Sequence, residues 1–110
     1  MSQLIDINTA IIAGRLTHDV VLSHDRHGDP WSTFQIAAHC KTTDRKTKRR
    51  DHTRVDFVQC AASCTIAEIA AQLRTGQQVL IQGKLRDIVY RGQHRLKVLA
   101  DRIWVLDESQ

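Results

Sequence analysis

Apolar residues recur at every second position over much of this 110-residue chain, which is the period of a sheet with one buried face. Thr9 to Leu16, rich in β-branched and small apolar residues, predicts a first strand with a bulge or bend at Gly14. Val20 to Ser23 extends that strand beyond a kink, and His27-Gly28-Asp29-Pro30 is a dense turn signal. Between Trp31 and Cys40 the residues Phe34, Ile36, Ala38 and Cys40 alternate with Thr33, Gln35, Ala37 and His39, giving a second strand with the first set inward. Thr42 to Thr53 contains no apolar residue and predicts a mobile loop. Val55 to Ala62 is the third strand, with Val55 and Phe57 on the core face and Asp56, Val58 and Cys60 on the other.

The period then changes. Ile66, Ile69, Ala70 and Leu73 stand at helical spacing and predict a helix over Ser63 to Arg74, with Thr65 and Glu68 as a capping box and Gly76 as the stop. Gln77 to Arg91 reads as a long strand broken at Gly83, Arg91-Gly92 as a hairpin turn, and Gln93 to Leu106 as the return. On that return Leu96, Val98 and Ala100 point one way and Arg95, Lys97 and Leu99 the other. Three strands, one short helix and a closing hairpin are the element order of an all-β, five-stranded Greek-key barrel, the OB-fold, here a single domain over residues 1–110.

Charge adds a location. The formal net charge is +4, but Lys41 to Arg54 holds seven basic residues against two acids, and Lys84 to Lys97 holds five against one. The rest of the chain is net acidic. In a barrel of this order the loop between strands two and three and the hairpin between strands four and five flank one groove, so the two basic segments converge there as a polyanion site.

Composition excludes several classes. No apolar run approaches the roughly 20 residues of a membrane span, and the first residues lack a secretory signal, so a cytoplasmic protein is expected. Cys40, Cys60 and Cys64 read as buried thiols rather than a disulfide framework. Cys60 and Cys64 have no second close pair to complete a zinc site, and no nucleophile, phosphate-loop or dinucleotide motif occurs, so no metal, cofactor, catalytic residue or small-molecule substrate is expected.

From Asn8 to Leu106 the chain resembles the bacterial single-stranded DNA-binding protein family. The resemblance rests on Asn8-Thr-Ala-Ile-Ile-Ala-Gly14-Arg15-Leu16-Thr17-His18-Asp19, on Phe34-Gln-Ile36-Ala37, and on Gly76-Gln-Gln-Val79-Leu-Ile81-Gln-Gly83-Lys-Leu85-Arg86. It implies sequence-tolerant, non-catalytic binding of single-stranded DNA in replication, recombination or repair, with RNA open, by a homodimer or homotetramer. It also implies aromatic stacking positions, which fall near Thr42, on His52, on Val58 beside Phe57, and on Tyr90. Only Tyr90 is a clear aromatic match, so phosphate contacts should weigh more here and binding should depend strongly on salt. Many family members continue into an acidic recruitment tip; residues 107–110 are expected to be a short tail without one. The short chain is also similar to the primosomal replication protein N branch. That leaves an alternative, a replication-restart adaptor for a helicase or another replication protein with secondary DNA contact, from a bacterial nucleoid or a mobile element.

The candidate DNA contacts are Arg15, Lys41, Arg45, Lys46, Lys48, Arg49, Arg50, His52 and Arg54, then Lys84, Arg86, Tyr90, Arg91, Arg95 and Lys97. Tyr90, His52, Trp31 and Phe57 are the candidate stacking rings. Tyr90 is favoured for stacking and Phe57 for the core, while Trp31 either lines the groove or covers the barrel end. Trp104 lies outside the groove segments and reads as packing or a subunit contact.

Overall fold

The computed structural model describes residues 4–42 and 52–106, with backbone alone for Lys41, Thr42, His52 and Thr53. Its elements are β1 (Ala10–Leu16), β2 (Val21–His24), β3 (Pro30–Thr42), β4 (His52–Ser63), α1 (Cys64–Ala70), β5 (Gln78–Tyr90) and β6 (Gln93–Val105). Hydrogen bonding runs β1-β5-β6-β4-β3, and β3 returns to β1 through Arg15↔Ala37 and Leu16↔Ile36, so five strands close into a barrel. The contact between β4 and β6 is parallel and the others are antiparallel. β2 continues β1 along the same partner: Thr17 N–H donates to the Gln35 carbonyl, and pairing resumes at Val21↔Thr33. The kinked extension read from the sequence is therefore present, and an Asp25 carboxylate that accepts from the His27 and Asp29 amides builds the turn into β3.

Alternation fixes the interior. Leu16, Phe34, Ile36, Cys60, Ala62, Val79, Ile81, Val98 and Ala100 fill the barrel, and α1 with its following turn closes one end with Ala67, Ala70 and Leu73. The helix is shorter than its pattern predicted. It starts after Ser63, whose extended backbone makes no side-chain cap bond, so the expected Thr65–Glu68 capping box is not the start. After Ala70 the bonds Gln72 N–H to Ile69 O and Leu73 N–H to Ala70 O tighten to i→i−3, which carries Leu73 inward without a further α turn. Ile69, expected inward, is 45% exposed. Behind the helix, the Thr75 hydroxyl and amide bond the Asp19 carboxylate and hold it below the usual carboxylate range, tying the β1–β2 connection to this end of the barrel.

Two glycines mark close approaches. At Gly14 the β1–β5 pairing runs without a shift from Ala10↔Gly83 to Arg15↔Gln78, so the expected bulge is absent. The residue instead lets β3 pass, since a Cβ there would stand 2.4 Å from the Ala37 carbonyl oxygen. The break expected at Gly83 is real: Gln82 faces Arg102 but Gly83 faces Ala100, leaving Asp101 unpaired as a bulge. The bulge exchanges inner and outer positions along β6, so Val98 and Ala100 are buried on one side of it and Ile103, not Trp104, packs toward the core on the other.

Other expectations of burial fail at the rim. Ala38 is only half-buried and Cys40 exposed, because β3 runs past the end of the barrel. Leu96 keeps the parity of Val98 but is 67% exposed for the same reason on β6. Of the three thiols only Cys60 is buried, and burial pushes it up to about 12. Alkylation of the folded protein at neutral pH is therefore expected to label Cys40 and Cys64 and spare Cys60 until denaturant is added; peptide mass mapping reads this directly.

Ser32 is fully buried between β2 and β4, and its hydroxyl has no hydrogen-bond partner among the described residues. Leaving such a group unsatisfied costs about 1–3 kcal/mol. Ser32→Ala is expected to leave the fold intact and raise the melting temperature; a drop in calorimetry contradicts this.

Candidate nucleic-acid interface

The outer surface of the barrel follows from the inner one. Burial of Ser32, Phe34 and Ile36 turns Thr33, Gln35, Ala37 and His39 outward, and the β3–β4 register sets them opposite Ala61, Gln59, Phe57 and Val55. Phe57 is 62% and Val55 39% exposed, which corrects the expectation that the two lie on the core face. Val58, Cys60 and Ala62 take that place. Both faces of β4 carry apolar residues, so its pattern alone did not tell inside from outside.

The same surface continues onto the β5–β6 hairpin. β6 joins β4 at Cys60↔Val98 and Ala61↔Leu99, which makes Leu99, Lys97 and Arg95 outward residues by alternation. Opposite them on β5 lie Lys84, Arg86 and Ile88, and Tyr90 closes the row opposite Gln93. Beyond Gly83 the hairpin leaves β1, and beyond Val98 it leaves β4, so this stretch is a two-stranded arm. All four lysines and arginines along its strands share one face with Tyr90. Its one acid, Asp87, lies on the other face, where its carboxylate meets His94 Nδ1 at 2.7 Å. An anion approaching the basic face thus meets no carboxylate of the arm.

At the tip, Arg91 and Gly92 have φ of 51° and 76°, the left-handed pair of a two-residue hairpin turn. Asn would adopt this conformation more easily than Arg. The Arg91 guanidinium lies 5.3 Å from the centroid of the Tyr90 ring, a cation–π contact. Tyr90 itself is 66% exposed.

The remaining candidates divide. Arg15 is outward on β1, in a cross-strand row with Ala37 and Phe57, and donates to the Gly76 carbonyl at 2.8 Å. Arg54 has the inward parity of Cys40 and pairs with Asp56 at 3.0 Å, so the structure does not bring it to the basic face. Trp31 is half-buried on the same outward row as Ala37, about 20 Å away at the rise of a strand. Arg45, Lys46, Lys48, Arg49 and Arg50 lie outside the described residues, as do the side chains of Lys41 and His52 and the tail at 107–110. Among the described residues, no three His, Cys, Asp or Glu side chains gather as a metal ion requires.

A model of the single-strand binding protein family matches residues 7–106. The chain belongs to that family. Similar proteins include the single-stranded DNA-binding protein of Lactiplantibacillus plantarum, 30% identical over 100 residues that cover 90% of this chain and 48% of the relative. That of Fusobacterium nucleatum is 30% identical over 79% of this chain and 56% of its own. This family member thus spans about half the length of the curated relatives it matches. In fold it is similar to a Plasmodium falciparum single-strand binding protein solved with single-stranded DNA, with a TM-score of 0.82 at 20% identity over 96% of this chain and all of that one. The Thermus aquaticus single-stranded DNA-binding protein superposes with a TM-score of 0.72 at 22% identity, over 94% of this chain and 42% of the other.

Proposed function

We propose that this protein binds single-stranded DNA without sequence preference, on the face built by β3, β4 and the β5–β6 arm, and that it does so without catalysis. The observation that carries this reading is the sorting of the arm: Lys84, Arg86, Arg95, Lys97 and Tyr90 share one face, continuous with Phe57, and the acid is on the other. Lysine and arginine along two strands attract successive phosphates whatever the sequence, and exposed rings accept any base on their faces. A flexible single strand can turn its bases onto Phe57 and Tyr90; paired bases in a duplex cannot. Arg15 and the basic residues Lys41, Arg45, Lys46, Lys48, Arg49 and Arg50 extend the same positive field in this reading, with His52 as an additional ring. The family relationship supports work in replication, recombination or repair in a bacterial cytoplasm. A homodimer or homotetramer belongs to the same picture.

Tyr90→Ala and Phe57→Ala are each expected to weaken binding of a labelled oligothymidylate by roughly 5- to 150-fold, the equivalent of about 1–3 kcal/mol per stacked base. Both side chains are exposed, so stability should hold. Unchanged affinity in both variants, by anisotropy titration, would remove stacking from the account.

A further inference from the structure

The outer face of the barrel dips at one point. Ala61 has the outward parity of Phe57 and lies outside the core cluster, yet it is fully buried. Its neighbours across the sheet, Thr33 on β3 and Leu99 on β6, are larger and half-buried, so its methyl group forms the floor of a groove. The groove meets the arm at its root. Leu99 is opposite Lys84, and one cross-strand row therefore runs Thr33, Ala61, Leu99, Lys84 over three strand spacings, about 14 Å. At the far side of the groove stands a ring. Trp31 is the next outward residue beyond Thr33, about 7 Å along β3, and is half-buried. Beside it on the adjoining strands are Ser23 and Ser63, both small and exposed, so across the sheet the indole has hydroxyls rather than apolar side chains for neighbours.

We propose that Trp31 is a further stacking platform for single-stranded DNA, placed where the strand leaves the groove floored by Ala61. The inference rests on the proposed reading of the basic face and lengthens its path. The outward residues of β4 lead from Phe57 through Gln59 and Ala61 to Ser63, and Trp31 stands opposite Ser63. Phosphates held by Lys97 and Lys84 at the root of the arm leave their bases over this stretch, where Gln35, Thr33, Ala61 and Leu99 offer neither a carboxylate nor a competing cation. The indole then accepts whichever base arrives, because every base has a π-face. Beyond it the turn into β3 carries Asp25 and Asp29 against Arg26, which makes Trp31 the last platform on this side.

Trp104→Phe leaves Trp31 as the only tryptophan of the chain. In that variant an oligothymidylate of about 16 nucleotides, the upper end of what one such barrel holds, is titrated with anisotropy of a labelled copy and indole emission followed together. Emission of Trp31 is expected to fall by roughly half or more as the site fills, a response that a purely structural tryptophan would not give. Trp31→Ala is expected to weaken binding by roughly 5- to 150-fold, and Trp31→Phe, which keeps a ring, by less than about threefold. Anisotropy that rises while the emission of Trp31 stays constant, or an affinity that Trp31→Ala leaves unchanged, would overturn the inference and leave the basic face standing. No binding in either signal would overturn both.

Discussion

Replacing Lys84, Arg86, Arg95 and Lys97 together by glutamine is expected to lower affinity for single-stranded DNA by roughly two to three orders of magnitude at 0.1 M salt and to flatten its salt dependence. Each phosphate neutralised on a single strand contributes about 0.7 to the slope of log affinity against log salt, so four lost contacts remove about 2.8. The side chains are on the arm rather than in the core, Arg86 and Arg95 exposed and Lys84 and Lys97 half-buried on the outer face, so the barrel should fold as before. The effect must also be directional. Asp87→Asn, on the back of the same arm, changes the net charge by one unit and should leave the slope nearly unchanged. A slope that responds as much to the back as to the front would mean that total charge, not the sorted face, governs binding.

Gly83→Ala is expected to damage the fold more than any other single methyl addition. A Cβ at this position would stand 2.0 Å from the Leu99 carbonyl oxygen and 2.8 Å from its carbon, and both are backbone atoms of the paired strand. No rotamer change relieves that contact. Either the β5–β6 ladder opens at its bulge or the bulge is lost, and overpacking of this kind costs about 3 kcal/mol or more. In a domain of this size the melting temperature should fall by roughly 15 °C. The bulge lies where the arm leaves β1, so DNA affinity should also fall in whatever fraction remains folded. Melting within a few degrees of the wild type would show that the strands can separate at this point without loss of the fold.

The sequence carried the element order, and the reasons are local. Phe34 and Ile36 alternate with polar neighbours, Arg91-Gly92 can form only a tight turn, and Ile66 to Leu73 change to helical period, so each element announced itself. What failed was which face and how far. Val55 and Phe57 have the same apolar character as Val58 and Cys60, and only the β3–β4 register decides between the two rows. Cys40 and Leu96 have core parity but stand where their strands overrun the barrel, and an alternation pattern contains no mark for its rim. The basic side of the arm was legible as a charged segment but not as a face, and the other basic segment lies mostly outside the described residues. The signal was available, since Lys84, Arg86 and Tyr90 share parity on one strand and Arg95 and Lys97 on the next, with Asp87 at the opposite parity. Arg54 shows the limit of counting charge by segment: two residues on, Asp56 shares its face and takes its charge.

Selection of a single strand by the outer face is read by a paired titration of one labelled oligonucleotide, alone and annealed to its complement, by fluorescence anisotropy between 50 and 200 mM salt, on the order of the range over which phosphate-contact affinities fall steeply. The single strand is expected to bind at least tenfold more tightly than the duplex throughout, with affinity falling steeply as salt rises. Equal and weak binding to both forms, or tight binding that salt does not change, would contradict it.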